Sequence, residues 1–433
     1  MSTLSPPKNL TRNVLIGMGL GVLIASVFFY THHIYEVIGP GGLSIQAGWT
    51  SQSIFSGIEK YLFNLGGQIF KNLLMLVVVP LVFFSLVSGI SSLTNMVKLG
   101  SIATKTIGLY LFTTGIAVSL ALLFGWIFNL SGYDGDYGSF EPATADPSLY
   151  GTVLRIFPNN IFGAFVENNM LGIVFISILF GIALNLTDDL TNGLSKTFER
   201  FNLVFLKIVL LIMSFAPIGV FCLMGSYVMA KGLNIFGDLA QYVILLIFVL
   251  AFHLAFTYSL ILKIFANLNP LIFFKKMRNV ALFAFSTSSS AATIPVTLKT
   301  VTDDLGVKKD VSSFVIPVGA TINMDGTAIM QGLATMFIAS TVGVDLTFIQ
   351  YMQIVLLAIV TSIGTAAVPS AGTVTLALIL GSLGLPLDAI GLILAVDRIL
   401  DMMRTSVNVC GDAAVSCIVA KSENELDEQV FNK

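Results

Sequence analysis

The sequence predicts an all-α membrane protein of eight transmembrane helices plus two oppositely oriented re-entrant helical hairpins that form inverted repeats. Three observations predict it. Apolar residues make up 55% of the chain and charged ones 11%, with a mean hydropathy of +0.90, whereas a soluble domain carries about 25% charged residues. Apolar runs of membrane-spanning length recur through the first two thirds. In the last third such runs are broken by Ser, Thr, Gly and Pro, and charges stand among them at helical spacing.

Taken in order, the uninterrupted spans are 14–30, 69–90, 107–130, 170–186, 203–228 and 242–265. The first follows a polar start with Lys8 and Arg12 and is too long for a signal-peptide core, so it is expected to be retained. Segments 271–300 and 354–385 are the hairpins, each followed by a span with a polar centre, 314–338 and 389–419. Broken helices are tolerated at membrane depth only when buried in protein or facing a wet cavity.

Charge orients the chain. With the amino terminus inside, Lys98, Lys105, Lys196, Arg200, Lys275, Lys276, Arg278, Lys308, Lys309 and Lys421 all fall on the cytoplasmic side. Stretch 133–150 carries Asp134, Asp136, Glu141 and Asp146 without a base and falls outside. The positive-inside pattern holds throughout only if 271–300 re-enters from the cytoplasm and 354–385 from outside. Both termini are then cytoplasmic, in a multi-pass protein of the cell inner (plasma) membrane. The motifs 290–295 (Ser-Ala-Ala-Thr-Ile-Pro) and 365–369 (Thr-Ala-Ala-Val-Pro) read as matching hairpin tips. Two such units of opposite orientation place a binding site where they meet near the midplane.

The last span carries the strongest chemical signal. Asp397, Asp401, Arg404, Asn408 and Asp412 recur every three or four residues, which at 3.6 residues per turn confines them to an arc of roughly 60° to 80°. Ionisable groups at that depth are expensive and normally mark a substrate or ion pathway. A self-contained ion cluster is the other reading of the same spacing. In Gly319-Ala-Thr-Ile-Asn-Met-Asp-Gly326 an unwound helix would free carbonyl oxygens beside Asn323 and Asp325, a hard-oxygen set suited to a small hard cation. The run Ser286-Thr-Ser-Ser-Ser290 offers hydroxyls and backbone N–H groups to an anion where a hairpin turns. Cys222, Cys410 and Cys417 lie in apolar segments without ligand spacing and read as buried thiols, and His253, alone in a very apolar span, reads as a packed histidine, with a proton relay as the other reading.

Ser288-Ser-Ser290, Asn323-Met-Asp-Gly-Thr327, Ser362-Ile-Gly-Thr365 with Pro369 and Gly372, and Asp401-Met-Met-Arg-Thr-Ser-Val-Asn-Val-Cys-Gly-Asp412 together resemble the signature of the dicarboxylate/amino acid:cation symporter family. The match is close over residues 284–423 and extends upstream through Tyr110-Leu-Phe-Thr-Thr114. The resemblance implies a glutamate-transporter-like fold and a homotrimer whose transport part slides as an elevator against a fixed scaffold. Within the single unit 1–433, the scaffold would span about 13–93 and 155–228, and the transport part about 104–130 and 237–421, with 422–433 as a cytoplasmic tail. It further implies that Asp401 holds a substrate amino group, Arg404 its side-chain carboxylate, and Asn408 with Ser289 and Ser290 its α-carboxylate. Thr327, Thr405 and the tip Val368, Pro369, Ser370, Ala371 and Gly372 would complete the pocket. Three sodium sites are implied. Gly319, Asn323, Asn408 and Asp412 would form one, Thr321 with Ser362, Ile363 and Thr365 a second, and Tyr110, Thr113, Thr114, Asn323 and Asp325 a third. Where archaeal relatives carry an arginine before the paired serines, this chain has Ser288, and it has an added Arg398 beside Asp397.

The expected function is therefore sodium-coupled uptake of aspartate or glutamate, with sodium co-transported and no organic cofactor. The alternatives are a proton-coupled symporter of dicarboxylates or neutral amino acids, or a channel-like anion pathway. An enzyme is disfavoured because no Ser has a His or Lys at a motif spacing and no phosphate-binding Gly-Lys-Ser/Thr loop occurs. No basic stripe suggests nucleic acid.

Overall fold

A computed structural model describes residues 10–38, 57–97, 100–130, 154, 156–167, 169–187, 190–191, 193–231, 233, 235–363 and 371–433. Among these residues the architecture is helical, and the β pairing is confined to one bridge between Val307 and Leu426. Helix α1 (Leu10–Ile38) is followed by a π-helical turn (Ile58–Asn64) that runs into α2 (Leu65–Val97), which continues through Pro80. Then come α3 (Ser101–Ile127), the short α4 (Ile161–Val166), capped by the Asn160 side chain, and α5 (Met170–Thr187). Stretches Arg12–Phe29, Ser101–Ile127 and Leu239–Ala266 are long and apolar enough to cross a bilayer.

The expected single span 203–228 is instead two helices, α6 (Leu194–Met213) and α7 (Ala216–Lys231), bent by 57° at Ser214–Phe215. Pro217 explains the break. Its ring cannot donate to the carbonyl of Met213, yet it fits the first turn of a new helix. Helix α8 (Ile235–Phe252) passes through a second π-helical turn (His253–Thr257) into α9 (Tyr258–Ala266).

The polar third begins with α10 (Pro270–Thr287) and α11 (Ser290–Lys299), which pack on each other as a helix-turn-helix unit. Asn269 caps α10 and Pro270 occupies its first position, a favourable start. The turn lies at Ser288–Ser289, so the expected tip 290–295 is corrected: those residues form the first turns of α11, with Pro295 inside it. Helices α12 (Lys309–Ile322) and α13 (Asp325–Thr341) are separated by the non-helical pair Asn323 and Met324, the interruption expected from the sequence. Helix α14 (Phe348–Ser362), with a full capping box at Thr347 and Gln350, and α15 (Ala371–Ser382) flank 364–370, which lie outside the described residues. Helix α16 (Ile390–Ser422) carries the charged stripe, and α17 (Glu428–Asn432) lies against α10.

Packing joins these helices in two neighbourhoods. Helices α1, α5 and α6 each lie against α2 or α7. Helices α3, α8, α10, α12 and α13 surround α16 or one another, and α13 touches α14 and α15. Helix α13 is buried almost end to end, including Asp325, Thr327, Gln331 and Thr335, so its polar groups must be satisfied from within. The three cysteines are free and buried, as the sequence predicts.

Candidate functional site

The stripe on α16 condenses into an ion cluster. Arg404 Nη2 donates to Asp397 Oδ1 at 2.7 Å and to Asp401 Oδ1 at 2.8 Å. Arg398 Nη1 lies 3.8 Å from Asp401 Oδ2 at the three-residue spacing of one turn. The Arg404 side chain is 1% exposed, yet its Nε and Nη1, like Asp397 Oδ2, have no hydrogen-bond partner among the described residues. Buried N–H groups without partners are rare in a native interior. Arg398 and Asp401 are slightly more open, at 12% and 10% exposed, so the cluster has a sealed and an accessible side. The self-contained reading thus holds for one nitrogen of Arg404 and leaves two groups unspent.

One turn further on, the interruption between α12 and α13 meets α16. Asn323 Nδ2 donates to the Asn408 carbonyl at 3.1 Å and to Asp412 Oδ1 at 2.9 Å, while Gly326 N donates to Asn408 Oδ1 at 2.7 Å. The helix starts with a free backbone N–H, and the Asn408 amide oxygen accepts it. Close approach requires a glycine here: a methyl group on Gly326 would stand 2.7 Å from the Arg404 carbonyl oxygen. Asn323 Oδ1 is buried without a partner among the described residues.

Asp325, fully buried at the start of α13, faces four side chains from other helices. Thr114 and Thr113 of α3 donate to Oδ1 at 2.7 and 3.3 Å. Tyr258 donates to Oδ2 at 2.9 Å and His253 Nε2 lies 3.2 Å from it. Tyr110 donates to the Val315 carbonyl at 3.1 Å, and its hydroxyl and Asp412 both crowd the Cα of Gly319. The result is a buried set of carboxylate, carbonyl, amide and hydroxyl oxygens from α3, α12, α13 and α16, the hard donors that suit a small cation.

Of the residues expected at the site, the structure brings Tyr110, Thr113, Thr114, Gly319, Asn323, Asp325, Asn408 and Asp412 into this one region. Thr405 bonds back to the Asp401 carbonyl at 2.8 Å, and Thr327 is buried where Gly372 of α15 lies against it. Ser288 occupies the left-handed region at φ 50°, unusual for a serine, and its buried hydroxyl has no partner among the described residues. Ser289 caps α11 through Ala292 N at 3.2 Å, and Ser290 is buried in the first turn.

Of the second expected sodium site, Thr321, Ser362 and Ile363 are among the described residues. Thr321 is exposed and bonded to the Val318 carbonyl at 3.0 Å, and Ser362 is bonded to the Ile359 carbonyl at 2.7 Å. Ile363 ends α14, while Thr365, Val368, Pro369 and Ser370 lie outside the described residues, as does the side chain of Ala371.

Sequence reasoning missed Tyr258 and left His253 between packing and a proton relay. The histidine is fully buried but is not merely packed, since it contacts Asp325. Their five-residue separation is a helical signal only in a π turn.

A profile of the Sodium:dicarboxylate symporter family matches residues 10–422. The chain is 30% identical to the Proton/sodium-glutamate symport protein of Geobacillus stearothermophilus, over 97% of this chain and 96% of that protein. It is 31% identical to the Proton/glutamate-aspartate symporter of Escherichia coli (strain K12), over 97% and 94%. With Excitatory amino acid transporter 2 of Mus musculus the identity is 32% over 83% and 73%. The expected resemblance is thus met along nearly the whole chain, and a family of carriers leaves no place for an enzyme. With its apolar helices and this near end-to-end match, the chain is a multi-pass membrane protein and belongs to the sodium:dicarboxylate symporter family.

Proposed function

We propose that the protein is a secondary active symporter that couples inward sodium flow to uptake of an acidic amino acid, L-aspartate or L-glutamate. The observation that carries this is Arg404: buried, held by two carboxylates through a single nitrogen, with Nε and Nη1 unspent. A buried guanidinium N–H without a protein partner is a charge-assisted donor for a carboxylate. Arg404 then binds the substrate side-chain carboxylate and Asp401 its ammonium. Asn408 and the N-terminal end of α11 at Ser289 and Ser290 receive the α-carboxylate. Thr327, Thr405 and residues 368–372 enclose it. Sodium ions are held by the oxygens around Asp325 and around Gly319, Asn323 and Asp412, with a further ion between Thr321 and 362–365.

The working unit is a homotrimer in the plasma membrane, with eight spans, the two hairpins re-entrant, and both termini cytoplasmic. Residues 104–130 and 237–421 move as an elevator against 13–93 and 155–228. The two packing neighbourhoods support this division. The relatives' names include protons as well as sodium, so the coupling ion is the point to test. Labelled aspartate uptake into liposomes, with sodium and pH gradients imposed separately, decides it. A sodium gradient alone is expected to concentrate substrate; uptake driven by a pH gradient without sodium would replace sodium by the proton, and purely equilibrative flux would favour a channel-like pathway.

A further inference from the structure

The π-helical turn between α8 and α9 has a purpose that follows from its geometry. In an α-helix, residues five apart point about 140° away from each other, from 3.6 residues per turn. Here the backbone N–H of Tyr258 reaches the carbonyl of His253, a five-residue bond, and such a turn stacks the two side chains on one face. Both meet the same atom. Tyr258 donates to Asp325 Oδ2 at 2.9 Å, His253 Nε2 lies 3.2 Å from it, and their rings touch edge-on at 4.8 Å. Tyr258 also reaches the Val407 carbonyl at 3.3 Å, tying α9 to α16 beside Asn408. All three side chains are fully buried. One extra residue in a helical turn is a recurrent device at functional sites.

The two oxygens of Asp325 are held differently. Oδ2 meets an aromatic hydroxyl and a ring nitrogen, groups fixed by bulk and by the turn. Oδ1 meets the aliphatic hydroxyls of Thr113 and Thr114, which can rotate their protons away and present oxygen lone pairs instead.

We propose that the π turn at His253–Thr257 makes His253 and Tyr258 positioning residues: together they clamp Oδ2 of Asp325, so that Oδ1 alone is presented to a sodium ion alongside Thr113 and Thr114. This rests on the sodium-coupled reading and adds to it the outer shell that orients the charged ligand. Partners of that kind typically change metal affinity about 10- to 100-fold when removed.

The test is a sodium titration of aspartate binding to the purified full-length protein, compared with its Tyr258→Phe, His253→Leu and His253→Gln variants. Tyr258→Phe and His253→Leu are expected to raise the half-saturating sodium concentration about tenfold, with aspartate affinity at saturating sodium nearly restored. His253→Gln keeps an N–H donor and is expected to recover most of the loss. In an Asp325→Asn background, Tyr258→Phe is expected to add no further shift, because the atom it clamps has lost its charge. Thermal melting without sodium checks that each variant is folded, and Tyr258→Phe, which removes one oxygen, carries the test alone if His253→Leu does not fold. A Tyr258→Phe protein with unchanged sodium dependence, or an equal shift in the Asp325→Asn background, overturns the inference alone. Wild-type binding indifferent to sodium overturns it together with the coupling it rests on.

Discussion

Charge balance decides what the α16 cluster can accept. Two carboxylates, Asp397 and Asp401, are offset by two guanidiniums, Arg398 and Arg404, so the acidic amino acid proposed as substrate, net −1, would meet a neutral cluster. Arg404→Ala is expected to abolish uptake of acidic substrates and to leave sodium binding largely intact, since among the described residues the guanidinium bonds to Asp397 and Asp401 and to none of the proposed sodium ligands. Removing one partner of a buried ion pair costs about 3 to 5 kcal/mol, and a mutant with near-normal aspartate affinity would refute the assignment. Arg398→Ala leaves the cluster net negative and is expected to impair transport, with Ser288→Arg restoring part of it. A silent Arg398→Ala in the same uptake assay would make Arg398 only a solvated charge. Asp325→Asn replaces a charged ligand by a neutral one, so sodium dependence should weaken, and substrate affinity with it, because coupled binding is reciprocal. The stripe itself was legible from three- and four-residue spacing alone. His253 and Tyr258 were not, because a period of 100° per residue sends them to opposite sides of an α-helix, and only the π turn reunites them.

At the scale of elements, the breaks matter more than the helices. The interruption at Asn323–Met324 was readable from Gly319, Asn323, Asp325 and Gly326 in an otherwise apolar run, since those residues gain little from an uninterrupted helix in lipid. The bend at Ser214–Phe215 was hidden because hydropathy runs through it unbroken, and only Pro217 hints at a new first turn. The hairpin turn itself was legible in the hydroxyl run 286–290, whereas the small-residue tip read at 290–295 proved to be helix. Pro295 looks like a breaker, yet within α11 it forfeits one bond while Ser289 supplies the actual cap. The contact between α13 and α16 gives a direct test of the interruption's geometry. Gly326→Ala puts a methyl group 2.7 Å from the Arg404 carbonyl oxygen and 2.8 Å from its Cα, and such overpacking costs about 1 to 3 kcal/mol. The variant is expected to melt earlier and to lose aspartate affinity, because Gly326 N is drawn off Asn408. Unchanged melting and binding would mean that α13 has room to slide.

Across the whole molecule, the last residues tie together helices that are far apart in sequence. Val307 pairs with Leu426, Lys308 meets Glu425 at 2.5 Å, Lys105 of α3 meets Glu423 at 2.6 Å, and Lys421 pairs with Glu428. Lys276 of α10 donates to the carbonyls of Val430 and Phe431 at 2.9 and 2.8 Å, closing the end of α17. Phe431 is fully buried. The clasp therefore joins α3, α10, α12 and α16, all within the part proposed to move. Its ion pairs are exposed and individually weak, so Phe431 is its main anchor. Phe431→Ala is expected to release the segment, with a cost of up to about 3 to 5 kcal/mol in melting and rapid hydrogen exchange confined to 423–433. The pH response follows from the charges. Donation from Lys105, then from Ser101, holds the Glu423 carboxyl below the ordinary glutamate value. Its contribution is complete above that ordinary value and is lost as pH falls through the lowered one. Bonding to Glu425 holds Lys308 above the ordinary lysine value, so that contribution is complete below the ordinary value and is lost as pH rises through the raised one. Protection of 423–433 should accordingly be flat from about pH 5 to 9 and fall on both sides. Protection that stays flat on both sides of that window as well would show that the buried ring and backbone bonds, not these pairs, set the strength of the clasp.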